Sequence, residues 1–178
     1  MRRAILLALF ASLLTASLSA TAQDNAATRN ALPIEENENL ELVRIWPSWR
    51  SADSFLRISE YFGGNETRNR QTTLRSQPDE RAGFYFLIRI KNSGEVLQGT
   101  HFELQVIRPD SPQPVTYRFP VAIATGSHAY LLGLTGSDWA GFSDKPAEDT
   151  HPVAWVLRLL DTDAQELLRR ESFLWAKP

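Results

Sequence analysis

From position 84 onward, apolar side chains recur at every second residue. In 84–91 (FYFLIRIK), Phe84, Phe86, Ile88 and Ile90 share one face, while the other face turns polar at Arg89 and Lys91. That period, with β-branched and aromatic content, predicts a strand, and Asn92-Ser93-Gly94 ends it with turn chemistry. In 101–108, Phe102, Leu104 and Val106 oppose His101, Glu103 and Gln105. After a proline-rich break, Val115, Tyr117, Phe119 and Val121 alternate with polar residues, and Pro120 predicts an edge or a bulge. The stretch 127–134 is apolar on both faces in part, with His128, Tyr130, Leu132 and Leu134 as one row. Val153, Trp155, Leu157 and Leu159 form another row. Residues 161–163 make a turn, and 165–175 return with Leu167, Phe173 and Trp175 on one face, although Arg169 shares that face and Leu168 does not.

The region before position 84 is less regular. Residues 40–46 read as a strand ended by Pro47, and 71–76 as one more strand. In 52–62 (ADSFLRISEYF), Ser51 offers a cap, Phe55, Ile58 and Phe62 fall on one helical face, and Gly63-Gly64 follows, so a short helix is expected. The strand alternative would bury Glu60. Six well-marked strands and one or two weaker ones, joined by Gly, Pro, Asn and Asp turns, predict a mainly β fold: an antiparallel β-sandwich with one short helix and a long insertion before the core strands. A closed barrel is the alternative. Parallel crossover architecture does not fit, because only one candidate helix exists.

The N-terminus changes what belongs to that domain. Arg2 and Arg3 precede an uncharged, Leu- and Ala-rich run over 4–18, and Ala20-Thr21-Ala22 supplies small residues for cleavage. This is the order of a secretory signal peptide, and the run is shorter than the ~20 residues of a membrane span. The expected organisation is a signal peptide over 1–22, a polar disordered spacer over 23–39 and a single domain over 40–178. The whole chain has 178 residues, 19 basic and 21 acidic. Without the two leader arginines the balance is 17 − 21 = −4. Such an exported acidic chain is ill suited to nucleic acid, and no later segment is long and apolar enough to span a membrane. There is no cysteine, which excludes disulfides, thiolate metal sites and thiol catalysis.

The run from GFYFLIRIKNSG through WVLRLLDTDAQELL resembles bacterial immunoglobulin-like and fibronectin-III-like modules over about residues 84–175. It lacks the cysteine pair of antibody domains, and the 40–83 segment is an addition. The resemblance implies a sandwich and no activity, since one fold hosts many functions.

Candidate chemistry is sparse. His101, His128 and His151 lie too far apart in sequence for a local metal site. Gly126-Ser127-His128 lacks the second glycine of a nucleophile elbow. Asp161-x-Asp163-x-Gln165 lacks the glycine and distal glutamate of a calcium loop. Asp79-Glu80 and Glu148-Asp149 read as solvated loop charge, and Asn65-Glu66-Thr67 matches a glycosylation acceptor for a eukaryotic source only. No catalytic residue, metal ligand or cofactor is assigned.

One inference comes from topology. If consecutive strands reverse direction, the loops at 92–100, 122–126 and 161–164 share one end. The connections 47–83, 109–114 and 135–152 then share the other, and the 18-residue stretch 135–152 is long for a sandwich loop. That pole would gather Trp49, Arg50, Arg75, Arg81, Asp138, Trp139, Phe142 and Asp144 as a candidate binding surface for a protein, peptide or glycan. The alternative is that Trp46, Trp49, Trp139 and Phe142 plug the core. The expected function is an exported, noncatalytic binding or structural module, periplasmic or extracellular. A small secreted hydrolase using the 47–83 and 135–152 loops, or a carrier of an apolar ligand, is the alternative.

Overall fold

The computed structural model describes residues 37–55, 71–140 and 146–176. Eight strands run in chain order: β1 (Leu40–Arg50), β2 (Gln71–Arg75), β3 (Gly83–Asn92), β4 (Leu97–Ile107), β5 (Pro114–Ile123), β6 (Gly126–Thr135), β7 (Ala154–Leu160) and β8 (Glu166–Glu171). They form two four-stranded sheets, ordered β1-β3-β6-β2 and β5-β4-β7-β8. The protein is mainly β.

The alternating rows explain why the sheets face each other. Phe84, Phe86, Ile88 and Ile90 of β3 join Phe102, Leu104 and Val106 of β4 in one buried core. Tyr130, Leu132 and Leu134 of β6 and Leu157 and Leu159 of β7 complete it. Rings from opposite sheets touch directly: Phe102 and Tyr130 have centroids 5.5 Å apart, Phe86 and Trp155 5.4 Å. Each buried aromatic contributes by leaving water and by ring packing.

Several expectations need correction. The fold is not wholly antiparallel, since β2 pairs with β6 in parallel, from Gln71 opposite Ala129 to Arg75 opposite Gly133. The long connection from β1 allows this, because its length frees β2 to approach from either direction. β1 does not stop at Pro47 but continues to Arg50, with Pro47 opposite Phe86. It is an edge strand, and one side of its backbone has no ladder to complete, so a missing N–H is tolerated. The helix expected over 52–62 is a single 3₁₀ turn at Ala52–Phe55, and positions 56–62 lie outside the described residues. Two further 3₁₀ turns, Gly136–Asp138 and Ala147–Asp149, are the other helical segments described. Among the described residues no helix is long and apolar enough to cross a membrane.

The return strand also differs. The register shifts at Leu167, so that Leu168 pairs with Leu159 and Arg170 with Leu157 on the core side, while Arg169 faces outward opposite Arg158. This bulge is the physical cause of the blurred period in the sequence. β8 ends at Glu171, so Phe173 and Trp175 sit in a turn beyond it, Phe173 being exposed and Trp175 half-buried. Val153 likewise precedes β7 and is exposed. Pro120 lies on β5, an edge strand, in keeping with its residue type.

Outward-facing residues are buried where the first sheet is covered. Tyr85 and Leu131 point away from the core and pack with Phe55 in a second, smaller cluster. The Tyr85 ring crosses Gly133, where an added Cβ would overlap it.

Candidate functional site

The register brings the ends of β1 and β2 and the β4–β5 and β6–β7 connections to one pole, while β2 begins back along the sheet, at Gln71 opposite Ala129. Arg50 pairs with Gly83, and Gly83 with Thr135, at the end of the first sheet. Ile107 pairs with Pro114 and Ala154 at the end of the second. Contacts tie these ends together: Phe84 meets Trp139 at 4.8 Å and His151 at 5.6 Å between centroids. The opposite pole is closed by short turns, with Asn92 Nδ2 donating to the carbonyl of Glu95 (2.7 Å) and Thr125 Oγ1 to that of Gly94 (2.9 Å).

The residues chosen from sequence for the loop-rich pole take different roles there. Trp139 is 1% exposed and belongs to the core. Trp49, opposite Phe84, is half-buried against the same core. Arg50 faces outward beside Gly83, and its Nε is buried without a hydrogen-bond partner among the described residues. Arg75 and Arg81 meet through one side chain: Arg75 Nε donates to the Tyr85 hydroxyl (3.1 Å), which donates to the Arg81 carbonyl (2.7 Å). The Arg75 guanidinium also lies 5.1 Å from the Phe55 ring centroid. Asp138 turns toward β5, where its carbonyl accepts from the Tyr117 hydroxyl (3.4 Å). Phe142 and Asp144 lie outside the described residues. The pole is therefore built around a packed tryptophan, with Arg75 resting on the Phe55 ring and the Tyr85 phenolic oxygen.

Burial pushes the Tyr117 phenol above its ordinary value, the Asp138 charge pushes the same way, and Arg108 opposes both. Arg108 itself pairs with Asp110 at 3.3 Å.

The histidines occupy separate places. His101 lies on β4 opposite Pro120 and Leu160. His128 Nε2 is 3.0 Å from the Thr125 carbonyl, and His151 stands edge-on to Phe84. Among the described residues no three His, Asp or Glu side chains gather as metal ligands.

Sequence reasoning missed the outer face of the first sheet. The pairing aligns Arg44 of β1 with Arg89 of β3, and Trp46 with Leu87. The plug alternative places Trp46 in the core. It is instead 54% exposed, and the Arg44 guanidinium lies over its ring, 4.1 Å from the centroid. A bulge between Leu42 and Arg44 is the reason. It leaves Val43 exposed and turns Arg44 and Trp46 outward, while Leu42 and Ile45 stay against the core. Among the described strand residues, five basic ones share this outer face, Arg44, Arg50, Arg75, Arg89 and Lys91, against one acid, Glu41, which is 3.9 Å from Lys91. The signal available in sequence was the alternation of Arg89 and Lys91 with the apolar row of β3. What hid it was the unmarked bulge in β1.

The outer face of the second sheet is charged differently. Glu103 is nearly buried between Arg118 (3.1 Å) and Arg158 (3.3 Å). Arg158 also reaches Glu166 (3.4 Å), and Arg169 reaches Glu171 (2.8 Å). Cations and carboxylates alternate there across β5, β4, β7 and β8.

No family model matches this sequence. No curated protein matches it either. Among solved structures, a β-glucosidase from Listeria innocua in complex with gluconolactone aligns with 72% of this chain and 15% of that chain, at 14% identity and a TM-score of 0.28. A likeness that slight carries no argument about fold or activity, so function rests on the geometry itself.

Proposed function

We propose that this chain is an exported, noncatalytic β-sandwich of the immunoglobulin-like or fibronectin-III-like kind, acting as a binding or structural module of the cell envelope. The leader pattern of residues 1–22 supports export. The strand order supports the immunoglobulin-like reading. In such domains two sheets ordered A-B-E-D and C-F-G face each other. The run β1-β3-β6 matches A-B-E, and β4-β7-β8 matches C-F-G with β5 beside it. The parallel β2 is the departure, and it belongs to the segment before position 83 that such modules lack.

The observation that carries the binding reading is the exposed part of the first sheet's outer face, where Trp46 is 54% exposed beside Arg44 and Arg89. A reaction needs a concave site that shields its transition state. A flat face with an exposed aromatic suits recognition. Expression of the full chain in a Gram-negative host, followed by fractionation and N-terminal sequencing, tests export. The mature protein is expected outside the cytoplasm and beginning near Gln23. Cytoplasmic protein retaining residues 1–22 would overturn the reading.

A further inference from the structure

We propose that the outer face of the first sheet binds an acidic polysaccharide, the Arg44–Arg89 pair taking a carboxylate and Trp46 the flat face of an adjoining sugar ring. This rests on the binding-module reading and names its partner. Arg44 and Arg89 are directly opposite each other on neighbouring strands, and both are exposed. Like charges in that position repel and weaken the sheet. The same pairing occurs once on the second sheet, between Arg158 and Arg169. There it is neutralised from within the chain, by Glu103 and Glu166 on Arg158 and by Glu171 on Arg169. On the first sheet no carboxylate among the described residues pairs with Arg44 or Arg89. On this face the counter-charge is left to solvent ions or to a ligand.

Three features choose the kind of anion. Arginines at opposed positions of neighbouring strands offer forked N–H donors to a carboxylate, a geometry an ammonium cannot copy. Stacking on Trp46 holds the Arg44 guanidinium in place before any ligand arrives, which lowers the ordering cost of binding. Lys91 lies two residues beyond Arg89 on the same face, opposite Glu41, so three cations and one carboxylate stand about 5 Å apart across strands and about 7 Å along them. An extended, rigid polymer with a carboxylate on successive rings can meet several of these points at once. The aromatic beside them suits a sugar ring better than a bare ion. A membrane surface would want more apolar side chains than Val43 and Trp46, the large ones exposed on β1.

The test is titration of the full mature protein with polygalacturonate, followed by tryptophan fluorescence and calorimetry. Neutral dextran, poly-glutamate and anionic phospholipid vesicles are run in parallel. Binding to polygalacturonate is expected at about 0.05 M salt and is expected to weaken by about 0.3 M, as screening shortens the Debye length. Arg44→Gln with Arg89→Gln should weaken it about tenfold or more, the scale of losing charge-assisted contacts. Trp46→Ala should weaken it and abolish the fluorescence change, and Arg170→Gln on β8 should leave it intact. Arg89→Glu turns a repelling pair into an attracting one. It should melt no lower than the parent while losing the polymer, which separates lost binding from lost folding. No binding to polygalacturonate, equal binding by the double variant, or stronger binding to poly-glutamate or vesicles would overturn the proposal. An exported protein that fails here would still satisfy the export test.

Discussion

At Tyr117 and Tyr130 a phenol is taken out of water near opposite ends of the sandwich. Tyr130 accepts the Ala124 N–H (3.1 Å) and donates to the Ala122 carbonyl (3.4 Å). Burial raises both phenols above the ordinary value of 10.0; Asp138 adds to the rise at Tyr117 against Arg108, and the Ala124 bond partly offsets it at Tyr130. The unfolded chain thus ionises these groups first as pH rises, and the folded state holds their protons longer. Their contribution to stability is complete below pH 10 and is lost as pH climbs through the raised folded values. Urea denaturation midpoints should hold steady up to about pH 10 and fall beyond it. Tyr117→Phe combined with Tyr130→Phe should flatten that fall. The double variant should also start lower, by about 1 kcal/mol, since the Ala124 amide loses its acceptor.

β1 and β8 are edge strands on the same side of the molecule, and an open groove of about 670 Å³ lies between them. Leu40 and Leu42 line one wall, and Leu168 and Arg170 the other. Arg170 occupies a core-facing position opposite Leu157 but is exposed. An inward-pointing charge on an edge strand deters another chain from adding to it. Arg170→Leu should remove that protection while adding apolar surface to the groove. Sedimentation velocity is expected to detect self-association in this variant at concentrations where the parent is monomeric. Unchanged sedimentation would mean that the edge is protected by other means. The same strand shows how far periodicity carries: the alternation of β3, β4 and β6 identified their inward rows, with His128 alone left outside the buried core. β8 blurred because one extra residue at Leu167 moved its neighbours to the other face.

Trp139 joins the two sheets at the loop-rich pole, stacked on Phe84 and flanked by the Asp138–Tyr117 contact. Removing it opens a large cavity there, and Trp139→Ala should cost about 3–5 kcal/mol in urea denaturation. Trp46→Ala, on an exposed face, should stay within about 0.5 kcal/mol. Equal losses would mean that Trp46 is part of the core after all. From the sequence the two tryptophans looked alike, as members of one plug. Residue type reports only the gain from burial, and a tryptophan beside a proline can face either way. The strand rows, the edge position of Pro120 and the turn chemistry were legible because each rests on neighbours within a few residues. The parallel pairing of β2 with β6, the bulge that turns Arg44 and Trp46 outward, and the meeting of Arg44 with Arg89 depend on residues tens of positions apart. Alternation along the chain thus determined which side chains could be buried together. Only strand registry decided which charges stand side by side, because a shift of one residue sends every side chain to the opposite face.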